Sequence, residues 1–278
     1  MDSSSISFTA LYTGQVWYEN GLSAPFFTSG KGRLMYLGLR PAEKLSEWAL
    51  GTNMYHMLLQ RHHIMDYRIH HLIQEGATQV LEIACGMSPR GHDFTRRYPE
   101  LHYVEADLPD MARKKRQLLE EQQALGPNHQ VISCNILEQG KPHGLDYILN
   151  EVLDTTRPTI VITEGLINYF SKEAISPFWK TLATEGKKFP QLWYLADCYP
   201  LSRNNRLFRV LTPVMKTLSA ITRAEVNPLF ESDDALKEEF ISLGFSGIKV
   251  HKPEEYYDVL DIPVSRGKAF TRVLEAKA

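Results

Sequence analysis

From residue 79 onward, short apolar runs alternate with longer stretches of helical spacing. The runs are QVLEIA (79–84), LHYVEA (101–106), QVISC (130–134), TIVIT (159–163) and LWYLAD (192–197). Their length and near-continuous apolarity predict parallel strands buried on both faces. Between them, segments 109–125, 143–154 and 171–186 carry helical signals, and Ser171 with Glu173 close behind marks the start of the last. Upstream, Thr52 to Gln74 is spaced as a helix, with Met54, Leu58, Ile69, Leu72 and Ile73 largely on one side and Gly76 as its stop. A helix near 232–243, then GIKVH (247–251) and AFTRVLEA (269–276), complete a seven-stranded pattern. The prediction is an α/β fold, a doubly wound and mostly parallel sheet with helices on both faces. Ligands of such sheets lie beyond the carboxyl ends of the strands, where strand order reverses.

Two segments break the alternation. Residues 1–50 are aromatic-rich (Tyr12, Trp17, Tyr18, Phe26, Phe27, Tyr36, Trp48) and show no clear period, so they read as an irregular cover packed onto the core. Residues 199–231 hold Pro200, Pro213 and Pro228 and are too long for a plain connector, which suggests a lid or substrate cap. The expected organisation is one domain over 1–278, with the cover and first helix in 1–75, a core in 76–198, the lid in 199–231 and the end of the sheet in 232–278.

Composition adds exclusions. With 43% hydrophobic and 23% charged residues the chain is ordinary globular material. A formal charge of −2 gives no footprint for nucleic acid or an anionic membrane, and ARKKR (112–116), followed by Glu120 and Glu121, reads as a solvated helix face. Cys85, Cys134 and Cys198 lie far apart without a CxxC pair, which argues for a reducing, cytoplasmic setting. The first residues lack the basic head and apolar stretch of a signal peptide, and no apolar run approaches the ~20 residues that span a bilayer. Neither a nucleic-acid nor a membrane partner is expected.

The chemistry concentrates at strand ends. The run VLEIACGMSPRG (80–91) leaves its strand through a slim loop in which Gly86 and Gly91 allow close backbone approach. It lacks the pyrophosphate-binding GxGxxG, so it suits a ligand with a slimmer middle. The next strand ends in Glu105 and Asp107, about 20 residues past the glycine, where a carboxylate can take both ribose hydroxyls. Asp107 is preferred because Leu108-Pro109 turns directly after it, although capping the following helix would use the same residue. Glu164 and Gly165 close the fourth strand, with Tyr169 beyond. His62, Asp66 and His70 form a stripe at four-residue spacing that lacks a known metal-ligand motif, and GxSxG, Walker and HExxH patterns are absent from the sequence.

VLEIACGMSPRG (80–91), VEADLPDMARKKRQLL (104–119) and ITEGLINYF (162–170) together resemble the leucine carboxyl methyltransferase family, and YTGQVWYENGLS (12–23) looks like the opening of its polyketide-type O-methyltransferase branch. The resemblance implies the class I methyltransferase fold, with an N-terminal helical cover and a helical lid insertion, and S-adenosylmethionine as cofactor, leaving as S-adenosylhomocysteine. It implies that Gly86 faces the methionine part, with Glu82 and Ala84 in the same motif, that Asp107 holds the ribose and that Glu164 lines the pocket. Arg61, or alternatively Arg68, matches the arginine that binds the cofactor carboxylate. Ala84 stands where many members have glycine, and Asn135-Ile136 replaces the acid–Leu pair at the adenine. Tyr169, Tyr199 and Arg203, with Arg206, are candidates for positioning the substrate. The expected activity is O-methylation of a hydroxyl or carboxyl of a small molecule, a polyketide-like metabolite being one candidate, with a protein C-terminal carboxylate as the alternative acceptor. Two rivals stay open: a nicotinamide-dependent oxidoreductase and a non-catalytic nucleoside-binding protein.

Overall fold

A strand buried on both faces can satisfy its backbone only through neighbouring strands, and the apolar runs do so. The computed structural model describes residues 3–138, 140–200, 227, 229–266 and 269–278. The strands β1 (Gln79–Ile83), β2 (His102–Asp107), β3 (His129–Ser133), β4 (Thr159–Thr163), β5 (Leu192–Cys198), β6 (Gly247–His251) and β7 (Arg272–Lys277) form one sheet in the order β3-β2-β1-β4-β5-β7-β6. Pairing is parallel from β3 through β5, while β7 runs antiparallel to β5 and β6. Strand order reverses at β1, where Ile83 lies opposite Ala106 on one side and Thr163 on the other. The loops after β1 and β4 therefore leave the sheet side by side and diverge, opening the crevice this topology provides.

Alternate residues of each strand feed the two faces. On one, Val80, Tyr103, Ile160, Trp193 and Leu195 pack with Ile64, Met65, Ile69 and Leu72 of α3 (Met54–Gln74) and Phe94 of α4 (Arg90–Arg97). On the other, Leu81, Val104, Val161, Tyr194 and Leu274 meet Phe178, Trp179 and Leu182 of the helix Lys172–Glu185, and Leu236 and Phe240 of the helix Asp233–Ser242. Each such side chain contributes about 1.5–3 kcal/mol by leaving water. The helix Pro109–Glu121, numbered α5, lies along β2 and β3. Local signals set the helix starts: Asn53 accepts from His56 N at 2.8 Å to begin α3, and Ser171 accepts from Ala174 N at 3.3 Å, as its sequence position predicts.

Two expectations are corrected. The first fifty residues form two helices, α1 (Ser3–Glu19) and α2 (Gly30–Leu50), the helical cover that the resemblance implies rather than the irregular one that the missing period suggests. Their period is blurred because α2 carries apolar residues on its solvent side as well as its buried side, so no single face stands out. The stretch 143–154 gives only a helical turn, Leu145–Tyr147, that widens into a π-turn, Ile148–Val152. Most of the expected lid, with Arg203 and Arg206, lies outside the described residues. Among those described, no helix is long and apolar enough to cross a membrane.

Candidate active site at the strand reversal

The loop after β1 turns through two left-handed residues, Ala84 (φ 55°) and Gly86 (φ 50°). Glycine adopts this conformation freely, whereas an alanine pays roughly 1–2 kcal/mol for it. Ala84 thus keeps the turn that glycine would make. Asp107, at the tip of β2, clasps the loop: Gly86 N–H donates to Oδ2 and Leu108 N–H to Oδ1, both at 2.7 Å. It does not cap α5, whose first turn has no side-chain cap. Burial pushes the Asp107 carboxyl up, and the two amides offset part of that. A carboxylate offers about four lone-pair positions, so two amides leave room for ribose hydroxyls. A side chain built on Gly86 would meet nothing within 4 Å, so the space in front of the loop is open. The loop and its acid fit a nucleoside ligand.

Across the crevice, Arg61 on α3 reaches the mouths of β4 and β5. Its Nε donates to Glu164 Oε1, and Nη1 to Asp197 Oδ2 and the Tyr199 hydroxyl, each at 3.0 Å. Gly165 (φ 68°) makes this approach possible, because a Cβ there would lie 2.9 Å from the guanidinium. The alternative, Arg68, is committed to Glu275 through two hydrogen bonds of 2.7 and 3.2 Å. Of the two arginines, Arg61 stands in the crevice.

A second guanidinium, fully buried, ties the site together. Arg90 opens α4 and donates to Asp66 (2.6 Å), Glu82 (2.7 Å) and Glu164 Oε2 (2.6 Å). His62 Nδ1 also lies 3.0 Å from Glu164 Oε2, and the His62 ring packs 4.6 Å from that of Trp17, bringing α1 over the site. Burial alone would raise the Glu164 carboxyl, but His62, Arg90 and Arg61 overcome it and hold the group well below the usual carboxylate range. Glu82 spends its oxygens on Arg90 and the Tyr103 hydroxyl (2.8 Å), beneath the loop.

A further buried trio braces the loop from behind. Lys115 donates to Ser88 O (2.8 Å) and Glu105 Oε1 (2.7 Å), and His129 Nε2 lies 3.0 Å from Glu105 Oε2. ARKKR reads as a solvated face, and Arg113, Lys114 and Arg116 fit that reading, but Lys115 is fully buried. One helix turned against a sheet hides one position of a basic run, which charge counting cannot show.

The remaining candidates divide. Tyr199 joins Arg61 and Asp197, while Tyr169 is half-buried in the turn after β4. Asn135 folds back on its own turn, accepting from Leu137 N and donating to Glu138, both at 3.2 Å, and Ile136 packs on the core beside it. The cysteines are all buried, and burial pushes the Cys134 thiol up to about 12, as expected of small apolar residues rather than nucleophiles. His70 is bonded to Gln74 and Tyr98, and no group of metal ligands occurs among the described residues. Sequence reasoning missed Arg90, His62 and Asp197 as parts of this site. Arg90 stood inside the quoted loop, and Asp197 lies next to last in β5 much as Glu164 follows β4, so strand-end acids were the available signal.

The family model described as leucine carboxyl methyltransferase matches residues 23–183, more than half of the chain. The chain is 30% identical over 118 residues to leucine carboxyl methyltransferase 1 of Eremothecium gossypii, an alignment covering 36% of this chain and 35% of that protein. Among solved structures it is similar to human N-acetylserotonin methyltransferase in complex with SAM (TM-score 0.48, 10% identity, 98% of this chain and 65% of that one). It is also similar to the CurJ carbon methyltransferase (TM-score 0.48, 13% identity, 80% of this chain and 54% of that one). Overlaps this loose do not fix an activity. The family match spans the β1 loop, the Asp107 clasp, Arg61, Arg90 and Glu164, and the chain belongs to the leucine carboxyl methyltransferase family, a family of S-adenosylmethionine-dependent methyltransferases.

Proposed function

We propose that this protein transfers a methyl group from S-adenosylmethionine to an oxygen, hydroxyl or carboxyl, of a small molecule. The observation that carries the reading is the convergence at the strand reversal of an open glycine loop, an acid clasping it and a buried arginine at the facing strand mouth. The cofactor, when bound, supplies an already activated methyl. The chain's residues then have to bind, align and exclude water. Asp107 takes the ribose hydroxyls, Gly86 lies against the methionine part, and Arg61 receives the carboxylate as a bidentate fork. Arg61 already holds Glu164, Asp197 and Tyr199, so an incoming carboxylate shares or displaces one of these acceptors. Asn135 and Ile136 border the adenine, Tyr169 and Tyr199 the acceptor, and Glu82 supports the site through Arg90.

A protein C-terminal carboxylate is the second acceptor class, favoured by the name of the curated relative, which aligns over about a third of its length. Labelled S-adenosylmethionine, offered with small phenols, small carboxylic acids and leucine-ended peptides, separates the two. Label that survives mild base marks an ether and supports a hydroxyl acceptor, whereas label released as methanol marks an ester. Transfer confined to the peptides would overturn the small-molecule reading.

A further inference from the structure

Helix α2 buries one side against α1 and turns an apolar stripe to solvent. Leu34, Leu37, Pro41, Leu45 and Trp48 recur every three or four residues, one face of a helix. Leu34 is 73% exposed, Leu37 54%, Leu45 64% and Trp48 79%. Single exposed leucines need no explanation, but a continuous stripe ending in tryptophan does. The exposed charges of this helix are all cations. Lys31 falls on one flank of the stripe by helical geometry, and Arg33, Arg40 and Lys44 on the other. The acids Glu43 and Glu47 are half-buried, Glu43 against the Tyr12 hydroxyl, and both share a groove with Arg40 and Lys44 on the side of the helix away from the stripe's centre. Both flanks being basic, a second copy laid along the stripe in either direction would set cation against cation. An anionic surface meets the same face with complementary charge.

We propose that this face of α2 docks on an anionic lipid bilayer. The leucines and Trp48 enter the headgroup boundary, and Lys31, Arg33, Arg40 and Lys44 meet the lipid phosphates. Lysine and arginine beside a leucine and tryptophan face are the makeup of a helix that lies in the membrane plane. The chain-wide charge of −2 hides the patch because acids elsewhere balance it. Nothing in this docking requires a membrane-spanning helix.

Trp48 supplies its own probe. The other three tryptophans, Trp17, Trp179 and Trp193, are 6%, 0% and 4% exposed, so a change in fluorescence on lipid addition reports Trp48. The full chain would be sedimented with phosphatidylcholine vesicles that carry phosphatidylserine, and with phosphatidylcholine alone. Expected are binding to the anionic vesicles only, a blue shift, and loss of both in high salt. Lys31→Ala with Arg33→Ala should weaken partitioning by about thirtyfold, and Trp48→Glu should abolish it. These positions are exposed, so the variants should melt with the wild type. Failure of the folded wild type to bind anionic vesicles would overturn the proposal. So would undiminished binding by Trp48→Glu, or a lipid-free dimer that Leu37→Glu breaks.

Discussion

Ala84 and Arg90 show how much one residue decides here. At φ 55° alanine occupies a conformation that glycine adopts without strain. Ala84→Gly should therefore stabilise the protein by about 0.5–1 kcal/mol in a urea melt, the relief of strain exceeding the entropy that glycine loses. An unchanged or lower midpoint would show that the turn is not strained. Arg90 is the opposite case, a buried cation whose partners Glu82 and Glu164 are buried too. Arg90→Met should cost about 3–5 kcal/mol, because it leaves Glu82 without a cation and takes one of three cationic partners from Glu164. A loss below ~1 kcal/mol would mean that water already reaches them. The loop sequence displayed Arg90 openly, with Glu82 in the same run, but its role also depends on Asp66 and Glu164 from two other segments, which no local pattern joins.

Among the elements, the strands were legible because burial on both faces leaves an unbroken apolar run, and β7 differs from its expected start by only a few residues. The two N-terminal helices were not legible in the periodicity, since α2 displays leucines to solvent as well as to α1, and only the family resemblance implied them. Close packing between elements makes its own predictions. In α4, a Cβ on Gly91 would lie 2.5 Å from His129 Nε2 and 2.6 Å from Glu105. Gly91→Ala should cost about 1–3 kcal/mol and loosen the Lys115 brace. Undiminished stability in a melt would mean that the trio can shift aside. Between α3, β6 and β7, burial would raise Glu275, but hydrogen bonds from His251 and Arg68 lower it from the usual 4.5 to about 2. A depressed carboxyl stabilises the fold above its unfolded value and loses that stabilisation as pH falls. The unfolding free energy should thus decline from about pH 4.5 toward pH 2, and Glu275→Gln should flatten that part of the profile. An unaltered slope in the variant would assign the acid sensitivity to other groups.

For the molecule as a whole, the alternation of strands and helices predicts the sheet, and the sheet's order predicts where ligands go. Gly86, Asp107, Arg61 and Glu164 come from four separate elements and assemble at the reversal between β1 and β4. What the sequence did not reveal is the wiring beneath them, the two guanidiniums shared among Glu82, Glu164 and Asp197, because buried charge is paired in space and not along the chain. The central claim is that this assembly binds the methyl donor. It is tested most directly by calorimetric titration with S-adenosylhomocysteine, on wild type and Asp107→Ala, with NAD and NADP as controls. The account predicts micromolar binding by the wild type, weakened in the variant by about 1.5–3 kcal/mol for the lost charged hydrogen bonds, and no uptake of either nicotinamide. A folded wild type that leaves S-adenosylhomocysteine untouched, or that binds a nicotinamide instead, would contradict it.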